Sequence, residues 1–260
     1  MKKLLSLSFA LTFALVTACT TPTQTTDKKE EAKEVHFTYE GEEGPEHWGD
    51  LSADFKLCKE GKTQTPVDIV TKDVKGEKIE APAFTYKESA LKILNNGHTV
   101  QANYEPGSSV KVNGKEFKLL QFHFHAPSEH KIDGKASEME LHLVHKSDDG
   151  ELAVVGLMIN KGKSNDNLKG VFANLPAKEQ EEKAVDAVKV DANNFLPSEK
   201  AFYNYSGSLT TPPCSEKVNW YLMKTPVEAS EEQISAFTKI FALNARPVQP
   251  LNERVIKTLN

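Results

Sequence analysis

Gln121-Phe122-His123-Phe124-His125, read together with Glu140-Leu141-His142-Leu143-Val144-His145, decides what this chain is. Both segments alternate in character. Successive side chains of an extended strand point to opposite faces. Gln121, His123 and His125 therefore share one face, and Phe122 and Phe124 the other. On the second segment Glu140, His142 and Val144 share a face, opposite Leu141, Leu143 and His145. The aromatic and leucine side chains would pack in a core and hold the strands. Three imidazoles, from His123, His125 and His142, would then converge over a metal. Zinc suits them, because imidazole is a borderline ligand and three protein ligands with an open fourth position define a catalytic site. Gln121 and Glu140 fall on the histidine face, where a ligating histidine usually finds an acceptor for its other N–H. A single H-x-H pair is weak evidence, and His145 alone reads as a buried, satisfied histidine. The shared parity on two strands carries the metal reading.

Outward from this pair, strand-like runs dominate. Leu91–Leu94 ends at the Asn95-Asn96-Gly97 turn signal. Ser109–Val112 meets Asn113-Gly114 and resumes at Lys115–Leu120, a strong hairpin cue. Phe117–His125 and Met139–His145 are strands, and Ala153–Ile159 is an apolar run of buried-strand type. Helical patterns are few: Asp166–Ala173, and Ser230–Phe241 with Ser230 and Gln233 placed as a capping box. The chain is expected to be mainly β, with short peripheral helices.

The N-terminus is set apart from the fold. Met1-Lys2-Lys3 is basic and Leu4–Val16 is apolar, but too short for a spanning helix, which needs about 20 apolar residues. Val16-Thr17-Ala18-Cys19 resembles a bacterial lipobox, with the cut before an acylated Cys19; the other reading is an ordinary signal peptide cut near Ala18. Thr20–Glu34 lacks aromatic residues and reads as a flexible tether. Residues 1–18 are thus read as a signal peptide, 19–34 as lipidated cysteine and tether, and 35–260 as one domain. Export places the protein in the periplasm or at the cell surface, held to a membrane only through the lipid on Cys19. Of three cysteines, Cys58 and Cys214 remain as a pair in an oxidising compartment. A disulfide is the expectation, two separate buried thiols the alternative. Lys and Arg number 32 against 37 Asp and Glu, and no basic block occurs, which argues against a nucleic-acid partner.

Several further segments carry a family resemblance. They are Gly44-Pro45-Glu46-His47-Trp48, Gln64–Ile69, Asn95-Asn96-Gly97-His98, Gln121–His130, Glu140–His145, Tyr205–Cys214, Asn244-Ala245-Arg246-Pro247 and Gln249-Pro250-Leu251. In this order they resemble the α-carbonic anhydrases over nearly the whole domain. The resemblance implies one domain around a central twisted, mostly antiparallel sheet of about ten strands. It implies Zn2+ as cofactor, held by His123, His125 and His142, with Gln121 and Glu140 as partners of His123 and His142. It matches Thr210 to the threonine that orients zinc-bound hydroxide, Glu129 to the carboxylate that receives the Thr210 hydrogen bond, and Thr211 to its neighbour at the mouth. Val144, Val154, Leu209 and Trp220 match the apolar pocket for CO2. His98 matches the proton shuttle, and Tyr39, Asn96 and Gln101 match positions along the solvent path.

Two positions depart from the family pattern: Phe37 replaces a common tryptophan, and Gln101 a common asparagine. The activity implied is reversible hydration of CO2 to bicarbonate, with weak esterase activity on the side. A homodimer is left open. Two rival readings share these residues, a catalytically silent binding module and a zinc hydrolase of esters or peptides. The complete histidine set with Thr210 and Glu129 opposes the first. The absence of H-E-x-x-H opposes the second.

Overall fold

The computed structural model describes residues 35–259. The expected export signal, the expected lipidation site Cys19 and the expected tether lie outside these residues. Thirteen strands form one twisted sheet. Its main path runs Glu182–Val190, Ser89–Asn95, Val100–Asn103, Lys115–His125, Met139–Lys146, Leu152–Lys161, Glu216–Met223, Phe202–Ser208, Lys257–Leu259, Lys75–Glu77. Ala83–Thr85, Ser109–Val112 and Val227–Ala229 branch from that path, so the sheet is larger than the sequence reading allowed. Pairing is mostly antiparallel. Leu152–Lys161 runs parallel to Glu216–Met223 and Val227–Ala229, and Lys257–Leu259 runs parallel to Lys75–Glu77.

The local signals act as their chemistry requires. Asn113 and Gly114 both take positive φ, 49° and 77°, which a two-residue hairpin between right-twisted strands needs. The helix over Glu231–Thr238 begins with a capping box made by Ser230 and Gln233. It stops short of the Phe241 expected from the pattern, because Ile240 N–H bonds to the Phe237 carbonyl and tightens the chain into a turn. The other expected helix spans Asp166–Phe172, and two single-turn helices, Trp48–Leu51 and Leu57–Glu60, are additional. The longest strands that the sequence reading does not include are Glu182–Val190, Phe202–Ser208 and Glu216–Met223; several shorter ones, Val100–Asn103 among them, are likewise additional.

The main core lies on one face of the sheet. Phe124 packs against Phe172 and Phe237 of the two helices at ring separations of 5.3 and 5.9 Å. Full burial of such a side chain is worth about 2–3 kcal/mol. His145 faces this core and is satisfied by the Tyr86 hydroxyl at 2.8 Å and the Ala153 carbonyl at 3.2 Å. Burial lowers its pKa to about 4, so it is neutral at ordinary pH.

A β-bulge decides which face the histidines take. Register shifts between Leu119 and Gln121, leaving Leu120 over. Before the bulge, Phe117 and Leu119 point into the core; after it, Phe122 and Phe124 do. One inserted residue inverts the alternation. Without it, His123 and His125 would be directed into the apolar core instead of away from it.

Candidate metal centre

Register assembles the site row by row. His123 pairs with His142, and His142 with Gly156. In the next row Gln121 pairs with Val144, Val144 with Val154, and Val154 with Trp220. On the other side His125 pairs with Glu140. All these side chains share the face turned away from the main core. Glycine at 156 leaves room for this row: a Cβ there would lie 2.7 Å from Leu222 Cδ1 and 3.2 Å from Glu140 Oε1, and both side chains would have to shift.

His123, His125 and His142 bring one nitrogen each to within 4.8 Å of one another. Each ring has its other nitrogen tied. His123 Nδ1 donates to Gln121 Oε1 at 2.8 Å, His125 Nδ1 to the Asn244 carbonyl at 2.7 Å, and His142 Nε2 to Glu140 Oε1 at 2.8 Å. These bonds fix the tautomers, leaving His123 Nε2, His125 Nε2 and His142 Nδ1 with free lone pairs. His125 Nε2 is buried with no partner among the described residues, a cost that a bound cation removes. Burial lowers all three pKa values, to about 4 for His125, so the rings are neutral and ready to ligate. Three neutral imidazoles in this arrangement fit zinc.

His130, Glu140 and His142 form a second close group, but it holds hydrogen bonds rather than open lone pairs. Glu140 Oε1 accepts from His130 Nδ1 at 2.7 Å as well as from His142, and Oε2 accepts the backbone N–H groups of Glu129 and His130. Burial pushes the Glu140 pKa up, yet the facing His130 and His142 together hold it well below the usual carboxylate range. His130 Nε2 meets the Tyr205 hydroxyl at 2.6 Å. The parity reading found Glu140 but not His130, which follows the strand in a loop.

A family model for the eukaryotic-type carbonic anhydrases matches residues 43–260. A carbonic anhydrase of Nostoc sp. (strain PCC 7120) is 49% identical over 228 residues, 86% of each chain. The chain belongs to the α-carbonic anhydrase family. Among solved structures, the α-carbonic anhydrase of Thermovibrio ammonificans in complex with sulfanilamide superposes with a TM-score of 0.84 at 42% identity, over 86% of this chain and 99% of that one. Dioscorin complexed with ascorbate matches at 29% identity and TM-score 0.80, over 86% and 98% of the two chains.

In this carbonic anhydrase the remaining residues of interest surround the triad. Val144, Val154, Leu209 and Trp220 belong to one apolar cluster on the site face. Trp220 is fixed by its indole N–H to the Ser208 carbonyl at 2.9 Å. Glu129 is buried, with Oε1 accepting the Arg246 N–H at 2.9 Å and Oε2 lacking a hydrogen-bond partner among the described residues. Burial pushes its pKa up to about 7, while His142, the Arg246 N–H and the neighbouring Thr210 hydroxyl favour its charged form. Thr210 is buried and Thr211 half-buried beside it.

The His98 ring stacks on Phe37, centroids 3.7 Å apart and 9° from parallel. The Tyr39 hydroxyl is buried without a hydrogen-bond partner among the described residues. Gln101 pairs in register with His123, its amide bonded to Asn103 Oδ1. Asn96 uses its side-chain oxygen to cap the turn, accepting the His98 and Thr99 N–H groups.

Cys58 and Cys214 form a disulfide. Among the described residues, no helix is long and apolar enough to cross a membrane. Arg246, buried with its guanidinium carbon 5.7 Å from the Trp48 ring centroid, enters the sequence reading only as part of a motif. Its guanidinium donates to the Gln64 side chain and to the Thr65 and Cys58 carbonyls.

Proposed function

We propose that this enzyme hydrates CO2 reversibly to bicarbonate at a zinc ion held by His123, His125 and His142. The observation that carries the reading is the set of three neutral imidazoles, each oriented by a separate acceptor. Zinc, when bound, would supply a Lewis acid that brings a water to a pKa of about 7, as in carbonic anhydrases as a class.

The chain's own residues do the rest. Thr210 donates its hydroxyl proton to Glu129, and its oxygen then accepts a hydrogen bond from the nucleophile. Glu129 serves this role as an acceptor-only carboxylate, a form that burial opposes and that a cation held by the neighbouring histidines would favour. Val144, Val154, Leu209 and Trp220 offer CO2 an apolar wall, which suits a molecule without a dipole; Thr211 borders the mouth. Gln121 and Glu140 keep His123 and His142 in the ligating tautomer. Tyr39 lines the solvent path. Activated esters small enough for the pocket are hydrolysed slowly. CO2 hydration set beside a panel of esters tests the assignment: ester turnover with no CO2 hydration would replace it by a hydrolase.

Each hydration releases a proton that must leave the site. Passing it from an acid of pKa about 7 to bulk water costs roughly 9–10 kcal/mol, whereas an imidazole of ordinary pKa near 6.5 takes it almost without cost. His98 is the proposed carrier. His98→Ala should lower kcat in dilute buffer on the order of tenfold, with kcat/KM for CO2 near wild type, because attack precedes proton export. Imidazole buffer should restore most of the loss. A parallel fall in kcat/KM would remove His98 from this role.

Residues 1–18 are proposed as an export signal, and 19–34 as a tether acylated at Cys19 that holds the domain in the periplasm or at the cell surface. A disulfide in the domain fits an oxidising compartment. Cys19→Ser should move the protein from the membrane to the soluble fraction; unchanged partition would refute the anchor.

A further inference from the structure

Ahead of the strand pairing that sets Gln101 against His123, the side chains of Thr99 and Asn244 fasten the His98 turn to the metal-ligand strand at the carbonyl of Phe124, which lies between His123 and His125 in sequence. The Thr99 hydroxyl donates to the Phe124 carbonyl at 2.5 Å, and Asn244 Nδ2 donates to the same oxygen at 2.9 Å. Asn244 Nδ2 also donates to the His98 carbonyl at 3.1 Å, and Asn244 Oδ1 accepts the Ala126 N–H at 2.8 Å. Both residues are buried, Asn244 fully. The turn is also closed on itself through Asn96 Oδ1, is tied at Asn95 to the Glu181 and Pro176 carbonyls, carries the His98 ring stacked on Phe37, and passes through Gly97 at a φ of 86°. Thr99 and Asn244 are thus polar clamps joining the turn to the strand that holds two ligands.

We propose that the Thr99 hydroxyl and the Asn244 carboxamide are positioning residues that set His98 relative to the metal centre. The inference rests on His98 being the proton carrier. A group that relays a proton works only within a narrow geometry, and a backbone freed at two carbonyls no longer holds its side chain within it. The ligands keep their own partners, since His125 bonds to the Asn244 backbone carbonyl and not to its side chain.

The test compares Thr99→Val, which keeps the shape and deletes the hydroxyl, with Thr99→Ser, which keeps the hydroxyl. Amide hydrogen exchange at His98 and Thr99 should quicken about tenfold in Thr99→Val and stay near wild type in Thr99→Ser. In dilute buffer Thr99→Val should lose about three- to tenfold in kcat, regained with imidazole, while kcat/KM and zinc affinity hold. Asn244→Ser provides the second variant, with the same faster exchange at His98. Unchanged exchange in both variants overturns the proposal, as does a fall of kcat and kcat/KM together in Thr99→Val. If exchange quickens but His98→Ala and Thr99→Val both leave kcat untouched, the clamp stands and the reading of His98 as carrier fails.

Discussion

His142→Ala is expected to strip the protein of zinc and of CO2 hydration together. The ring is 1% exposed and pairs directly with His123 across the strands, so no solvent ligand of equal strength can replace it in place. Its loss leaves two imidazoles, and structural and catalytic zinc sites need three or four protein ligands. It also removes one of the two side-chain donors to Glu140, a fully buried carboxylate, which raises the cost of keeping that charge inside. After dialysis the variant should retain less than about a tenth of an equivalent of zinc, and hydration should fall on the order of 10³-fold or more, since water without a Lewis acid stays almost wholly un-ionised at neutral pH. Metal analysis and stopped-flow hydration on the same sample check both. Full hydration by a zinc-free His142→Ala protein would refute the assignment of the centre.

Much of this site is legible from alternation alone, and what is not has a common cause. His123, His125 and His142 share a face by parity within strands, as do Gln121 and Glu140. Parity is local and needs no tertiary knowledge. The acceptor for His125 is a backbone carbonyl at Asn244, 119 residues away, and no side-chain pattern marks a carbonyl. His130 stands outside either strand, so alternation says nothing about it, although its nitrogens bind Glu140 and Tyr205.

The bulge at Leu120 was present in the sequence as a phase change, from Phe117 and Leu119 to Phe122 and Phe124. Reading Phe117–His125 as one uniform strand passes over it. The strand Glu182–Val190 is half-exposed along most of its length and carries little apolar signal, as an edge strand does. Its place is set by pairing with Ser89–Asn95, a contact that composition does not announce.

Removing the Cys58–Cys214 bridge should cost more stability than any change outside the metal centre. The bridge joins residues 156 positions apart. Restricting so long a loop in the unfolded chain is worth up to about 5 kcal/mol on the chain-entropy account. For a domain of this size that corresponds to a fall in Tm of about 10–20 °C.

The folded state offers partial compensation. Arg246 Nη2 still holds the Cys58 carbonyl, Gln64 Nε2 holds the Cys214 carbonyl, and Gln64 Oε1 in turn accepts from Arg246 Nη1. That network keeps the two segments adjacent, so Cys58→Ala/Cys214→Ala should fold and remain active at low temperature. The first place to loosen should be the segment from Leu209 to Ser215. There the Cys214 N–H closes on the Thr211 carbonyl and the Leu209 N–H on that of Ser215. Thr210 sits inside that closure, next to Glu129, so activity should be lost on heating before the global transition. Thermal melts of the oxidised protein and the double variant, followed by circular dichroism and by residual hydration, measure both effects. Equal Tm values in the two proteins would show that the Arg246 and Gln64 contacts alone carry the link.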